Sequence, residues 1–202
     1  MSTELYFIYD SHCPWSYAAT KLVENITTAL PQVQLHLMHS AYFDGDNKVS
    51  RETIKTVEEL STVKFNKSYI DSLDVYRDST LAANLLTWVQ NKSQKDALTL
   101  LKSIQKAHFE QANPILSAED VTPLIEELKL SPPAKSLKSA MLTKDAEFVH
   151  HDINEMQEIM GTNAIPALLL AHDEQLILLN HNLYLEQPEK IIEAVKSELD
   201  RV

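Results

Sequence analysis

Apolar residues run almost without a break through Leu5-Tyr6-Phe7-Ile8-Tyr9, which predicts a short buried strand in the middle of a sheet. Asp10-Ser11-His12-Cys13-Pro14 breaks the run. Trp15, Ala18, Ala19, Leu22, Val23, Ile26 and Leu30 then recur at spacings of three and four, the period of one helix face. Pro14 suits the first turn of that helix and Pro31 stops it. Val33, Leu35 and Leu37 alternate with Gln32, Gln34 and His36, so a second strand follows. An opening β-α-β unit implies a parallel pair joined by a right-handed crossover.

From about Asp44 to about Glu147 only helical periods are visible. Leu81, Leu85, Leu86 and Val89 form one stripe. Ala97, Leu98, Leu101, Ile104 and His108 form another, with Ser93 and Asp96 spaced like a capping box. Val121, Leu124, Ile125 and Leu128 form a third, expected to start with Thr122 as cap and Pro123 at the first helical position. Ser131-Pro132-Pro133 ends it, and Leu137, Ala140 and Met141 suggest one more helix. The sheet pattern then returns. Asp152 and Glu155 are placed to cap a short helix bearing Ile153, Met156, Ile159 and Met160, with Gly161 just past its end. Ala167-Leu168-Leu169-Leu170 and Leu176-Ile177-Leu178-Leu179 flank a hairpin-length loop and predict an antiparallel pair. Pro188 opens a last helix with Ile191, Ile192, Val195 and Leu199 on its buried face. The expectation is an α/β fold of βαβ-αββα order, residues 1–43 and 148–202, interrupted by an all-helical insertion over residues 44–147.

Composition narrows the function classes. Only two glycines occur in 202 residues, so tight turns with positive φ are rare and an all-β fold is disfavoured. Eighteen basic against 29 acidic residues give a net charge of −11, which argues against nucleic-acid and anionic-membrane partners. No stretch approaches the roughly 18 apolar residues of a membrane span, and Met1 to Tyr9 has no signal-peptide pattern. A single cysteine excludes an internal disulfide. Together these point to a reducing, cytoplasmic setting, in which the sequons at Asn25, Asn66 and Asn91 are chance matches.

Two features carry candidate chemistry. Cys13 stands between a buried strand and a helix start, where free N–H groups and the helix dipole favour an anion; a lowered thiol pKa is expected. Ser16 lies one turn along the same face, with a hydroxyl that could donate to a thiolate. His12 would stabilise the thiolate if protonated. A buried, inert cysteine is the competing reading. The second feature is Ile165-Pro166, immediately before an apolar strand, where a cis bond competes with an ordinary trans proline. His150-His151 and His36/His39 lack metal-ligand spacing, so no metal site is expected.

Tyr9-Asp10-Ser11-His12-Cys13-Pro14-Trp15-Ser16-Tyr17 resembles the active-site segment of the DsbA-like thioredoxin-fold superfamily. Its Cys-Pro-Trp start is similar to FrnE-type cytosolic members, with Ser16 where they have a second cysteine. Thr162-Asn163-Ala164-Ile165-Pro166-Ala167 resembles the family's cis-proline loop, and Ala107-His108-Phe109-Glu110 with residues 117–121 looks like part of its helical insertion. The resemblance implies that Cys13 is the attacking thiol, with Ser16, the second catalytic candidate, as the departure from the family pattern. It also implies that His12, Pro14, Trp15, Ile165 and Pro166 meet the substrate. The implied activity is thiol-disulfide exchange, or disulfide isomerisation, on protein or glutathione disulfides, through one cysteine and an external thiol. No tightly bound cofactor is implied; glutathione is a co-substrate, and a homodimer is left open. Kappa-class glutathione transferases and 2-hydroxychromene-2-carboxylate isomerases share the fold and lack a second active-site cysteine. A glutathione-dependent transferase or isomerase, or a non-catalytic peptide-binding module, therefore stays open beside the oxidoreductase.

Overall fold

The structure, a computed structural model, describes residues 3–200. Four strands form one mixed sheet in the order β2-β1-β3-β4: β1 Thr3–Tyr9, β2 Val33–His39, β3 Ala167–His172 and β4 Gln175–Leu179. β1 is parallel to β2, with Leu5 opposite Leu35, and antiparallel to β3, with Ile8 opposite Ala167. An inner strand must be apolar on both faces. Leu5, Phe7 and Tyr9 accordingly join the main core, while Ile8 packs in a second cluster with Met38, Ile153 and Ala167. The β3–β4 loop is shortened to Asp173-Glu174, because His172 and Gln175 already pair; Asp173 takes the left-handed conformation it needs.

Helix α1, Pro14–Ala29, buries Ala18, Ala19, Leu22, Val23 and Ile26, the stripe read from the sequence. Between β2 and β3 come α2 Arg51–Leu60, α3 Lys67–Asp71, α4 Thr80–Gln90, α5 Gln94–Gln111, α6 Ala118–Glu127 and α7 Lys144–Met160; α8, Ile191–Leu199, closes the chain. The mixed sheet with flanking helices is the thioredoxin-like βαβ-αββα arrangement, with the helices α2 to α6 lying in the chain between β2 and α7. No helix among the described residues is long and apolar enough to cross a membrane.

Three local expectations are corrected. Helix α6 starts at Ala118, with Pro123 inside it, because Ser117 and Asp120 form a complete capping box. Those two N-terminal bonds outweigh the one N–H that Pro123 cannot offer, and the Thr122 hydroxyl donates back to the Ala118 carbonyl at 2.8 Å. Helix α7 is capped by Thr143 and runs for 17 residues, so Asp152 and Glu155 lie within it and the expected 147/148 boundary falls mid-helix. The helix expected around Leu137 to Met141 is a single 3-10 turn, Ala134–Leu137. Beyond it, the buried Asn84 amide donates to the carbonyls of Lys138 and Met141, at 2.9 and 3.0 Å, and holds the segment out of a helix.

Candidate active site

β1 ends at Tyr9 and a tight loop follows, closed by the Cys13 N–H on the Asp10 carbonyl at 3.1 Å. Cys13 is the N-cap of α1 and Pro14 its first helical residue, so the thiol sits at a helix N-terminus as expected. It is only 7% exposed. Burial pushes the Cys13 thiol pKa up, helped by Asp10; the Ser16 N–H, the Ser16 hydroxyl and the Trp15 N–H pull it down without overcoming that rise. The expected lowering is thus reversed, because desolvation of the thiolate exceeds the stabilisation by the helix end.

Asp10 anchors the loop. Its fully buried carboxylate accepts from the His12 N–H at 2.8 Å, the Tyr42 N–H at 2.7 Å, the Phe43 N–H at 3.2 Å and the Ser79 hydroxyl at 2.6 Å. Four donors and no acceptor suit an ionised carboxylate. They tie the Cys13 loop to the chain after β2 and to the start of α4. Ser16 is also fully buried, its hydroxyl accepting the Asp10 N–H at 3.3 Å. In the sequence Asp10 has one signal of this role, a carboxylate directly after a buried strand.

His12 points inward. Its Nε2 lies 3.3 Å from the Pro114 carbonyl, its Nδ1 3.0 Å from the Ser11 hydroxyl, and that hydroxyl is 2.8 Å from His39 Nε2. The Ala41 N–H donates to His39 Nδ1 at 3.0 Å. The Ser11 N–H also approaches His39 Nε2 at 3.1 Å, so an N–H donor faces each His39 ring nitrogen and a doubly protonated, cationic ring does not fit there. Burial agrees, lowering the His12 pKa and bringing His39 to about 4. A cationic His12 beside the thiolate is therefore not the arrangement, and a fully buried His12 has no surface to offer a substrate.

The Ile165-Pro166 bond is cis. Because Ile8 pairs with Ala167, the register sets Pro166 level with the end of β1, beside the Cys13 loop. Trp15, Ile165 and Pro166 line one cavity of about 670 Å³, completed by Thr56 and Leu60 of α2 and by His181. A smaller space of about 330 Å³ adjoins it across Ala164, Pro166 and His181. Of the expected substrate contacts, Trp15, Ile165 and Pro166 come together here; His12 and Pro14 line neither space. Thr56, Leu60 and His181 belong to elements far apart in the chain, and nothing local in the sequence marks them. Among the described residues, no cluster of three or more His, Cys, Asp or Glu is placed to hold a metal ion.

No family model and no curated protein matches this chain. Solved structures do. The cytosolic disulfide reductase DsbM from Pseudomonas aeruginosa superposes with a TM-score of 0.78 at 18% identity, covering 98% of this chain and 100% of DsbM. DsbM with GSH gives a TM-score of 0.73 at 18% identity, covering 98% and 99%. A periplasmic thioredoxin-like protein from Salmonella enterica serovar Typhimurium gives 0.55 at 13% identity, covering 98% and 83%. These likenesses establish the thioredoxin-like fold.

Proposed function

We propose that this protein is a thiol-disulfide oxidoreductase working through Cys13 alone, with an external thiol such as glutathione closing the cycle. The observation that carries the reading is the position of the chain's one thiol. It caps α1 in a thioredoxin-like frame, two residues before Trp15, which lines a cavity together with the cis Ile165-Pro166. The likeness to DsbM, described as a cytosolic disulfide reductase and solved with GSH, supports a cytosolic setting and glutathione as co-substrate.

In the first step Cys13 loses its proton to solvent, and the thiolate attacks one sulfur of a protein–glutathione disulfide. The Cys13–glutathione S–S bond forms, the original S–S bond breaks, and the protein leaves as a thiolate that takes up a proton. A second glutathione thiolate then attacks the glutathione sulfur of that adduct, releasing glutathione disulfide and the Cys13 thiolate. Overall the protein sulfur is reduced and the sulfur of the incoming glutathione is oxidised, while the first glutathione sulfur stays at the disulfide level throughout. The Ser16 N–H and hydroxyl stabilise the thiolate, while Trp15, Ile165 and Pro166 hold the partner. The test is to expose the protein to oxidised glutathione, weigh it, and weigh it again after adding reduced glutathione. One adduct that appears and then clears is expected; a wild-type protein that gains no adduct, or gains one as readily after Cys13→Ser, would sink the reading.

A further inference from the structure

Behind the Cys13 loop, α3, the segment after it and the end of α5 enclose a separate cavity of about 210 Å³. Tyr69, Arg77, His108 and Pro114 are in its wall; Pro114 is the residue whose carbonyl meets His12, and the His108 ring lies 4.1 Å from the His12 ring. Arg77 is the only Lys, Arg, Asp or Glu in this wall, and it is 5% exposed. Its two terminal nitrogens donate to the carbonyls of Ser72, Leu73 and Val75, and its guanidinium stands 5.0 Å over the Tyr69 ring. Among the described residues it has no carboxylate partner. A buried cation held by carbonyls and a ring, without a counter-charge, is unusual.

Three polar atoms in this wall are buried without a hydrogen-bond partner: Arg77 Nε, the Tyr69 hydroxyl and His108 Nε2. The Tyr69 hydroxyl ends near Arg77, but the two make no aligned bond. His108 Nδ1 donates to the Asn113 carbonyl at 2.8 Å, so Nε2 carries a bare lone pair. Buried polar atoms require partners, and the neighbouring space that protein atoms leave empty is the cavity. The missing partner must accept from Arg77 Nε and from the Tyr69 hydroxyl, compensate one positive charge, and donate to His108 Nε2. A fully deprotonated anion meets the first three demands and fails the last.

We propose that this cavity binds a small oxyanion that retains one proton, of which hydrogenphosphate is the simplest, with Arg77 and Tyr69 donating and His108 accepting from the P–OH group. The site adjoins the Cys13 loop: Pro114 and His108 meet His12, and Tyr69 stands close enough to Cys13 to act on it electrostatically. Isothermal titration of the intact protein with inorganic phosphate at neutral pH and constant ionic strength should give saturable one-to-one binding, with sulfate at least about tenfold weaker. Arg77→Gln removes three carbonyl contacts and is liable to unfold, so Tyr69→Phe is the informative variant: it keeps the ring under Arg77 and removes one donor. Its phosphate affinity should drop about tenfold, the worth of one hydrogen bond to a charged group. No saturable binding would mean that the cavity holds only water. Unchanged affinity in Tyr69→Phe, or sulfate binding as tightly as phosphate, would equally overturn the assignment.

Discussion

The Ser79 hydroxyl donates to Asp10 Oδ2 at 2.6 Å across 69 residues of chain, joining the N-cap of α4 to the loop that presents Cys13. The bond is fully buried at both ends. It ties the helical segment that follows β2 to the loop that carries Cys13. Ser79→Ala should therefore lower stability by about 1.5–3 kcal/mol, the range for a hydrogen bond to a charged group. Asp10→Ala should lower it further, because the His12, Tyr42 and Phe43 N–H groups also lose their acceptor. Urea unfolding of the three proteins checks the order; a Ser79→Ala midpoint equal to wild type would show that the bond contributes nothing.

Burial holds the Cys13 thiol above its ordinary value of about 8.5. Its alkylation rate by iodoacetamide should keep rising with pH beyond 8.5, and Ser16→Ala, which removes one of the groups pulling the pKa down, should shift the profile to still higher pH. Stability has the matching sign. Above 8.5 the unfolded chain releases a proton that the folded thiol retains, so this group's contribution is intact below that pH and declines as pH rises toward the folded pKa. Cys13→Ser should abolish that decline. A profile centred at or below 8.5 would refute the burial argument.

His39 titrates the other way. Burial brings it to about 4, from an ordinary 6.5 or so, and the Ala41 N–H already occupies Nδ1. Between those values the unfolded chain binds a proton that the folded ring refuses. Its contribution, roughly 3 kcal/mol, is therefore complete above pH 6.5 and is lost as pH falls through 4. Unfolding free energies at pH 7, 5.5 and 4.5 should drop progressively in the wild type and less steeply in His39→Gln. Equal slopes would assign the acid loss to other groups.

The parts of the site that were legible in the sequence are those set by neighbours along the chain. The Leu5 to Tyr9 run, the α1 stripe and Pro14 together place Cys13 at a helix start. The burial of the thiol, which decides the sign of its pKa shift, has no local signal in the sequence. Thr56 and Leu60 reach the cavity from α2, and His181 from beyond the hairpin. Ser79 looks like any helix cap until the fold sets it against Asp10. Pro123 misled for a related reason: its own preference for a first turn is local, but the Ser117–Asp120 box six residues earlier settled the start of α6.

Ser16→Cys bears most directly on mechanism. A mixed disulfide at Cys13 can be resolved by an internal or an external thiol, and the wild type has only the second route, since Cys13 is its sole cysteine. Ser16 lies in the first turn of α1, at the Cys-X-X-Cys spacing used by dithiol proteins. Its hydroxyl accepts only a long bond from the Asp10 N–H, 3.3 Å, so replacing oxygen by sulfur removes little. Held close to Cys13, the new thiol would act at high effective concentration and expel a bound glutathione by internal attack. The wild type should instead keep its adduct until free thiol is added. Both proteins can be trapped with acid after brief exposure to oxidised glutathione and weighed. The variant should show an internal disulfide and little adduct. If it holds the adduct as long as the wild type does, Ser16 does not face Cys13, and its assignment as the group assisting the thiolate fails with it.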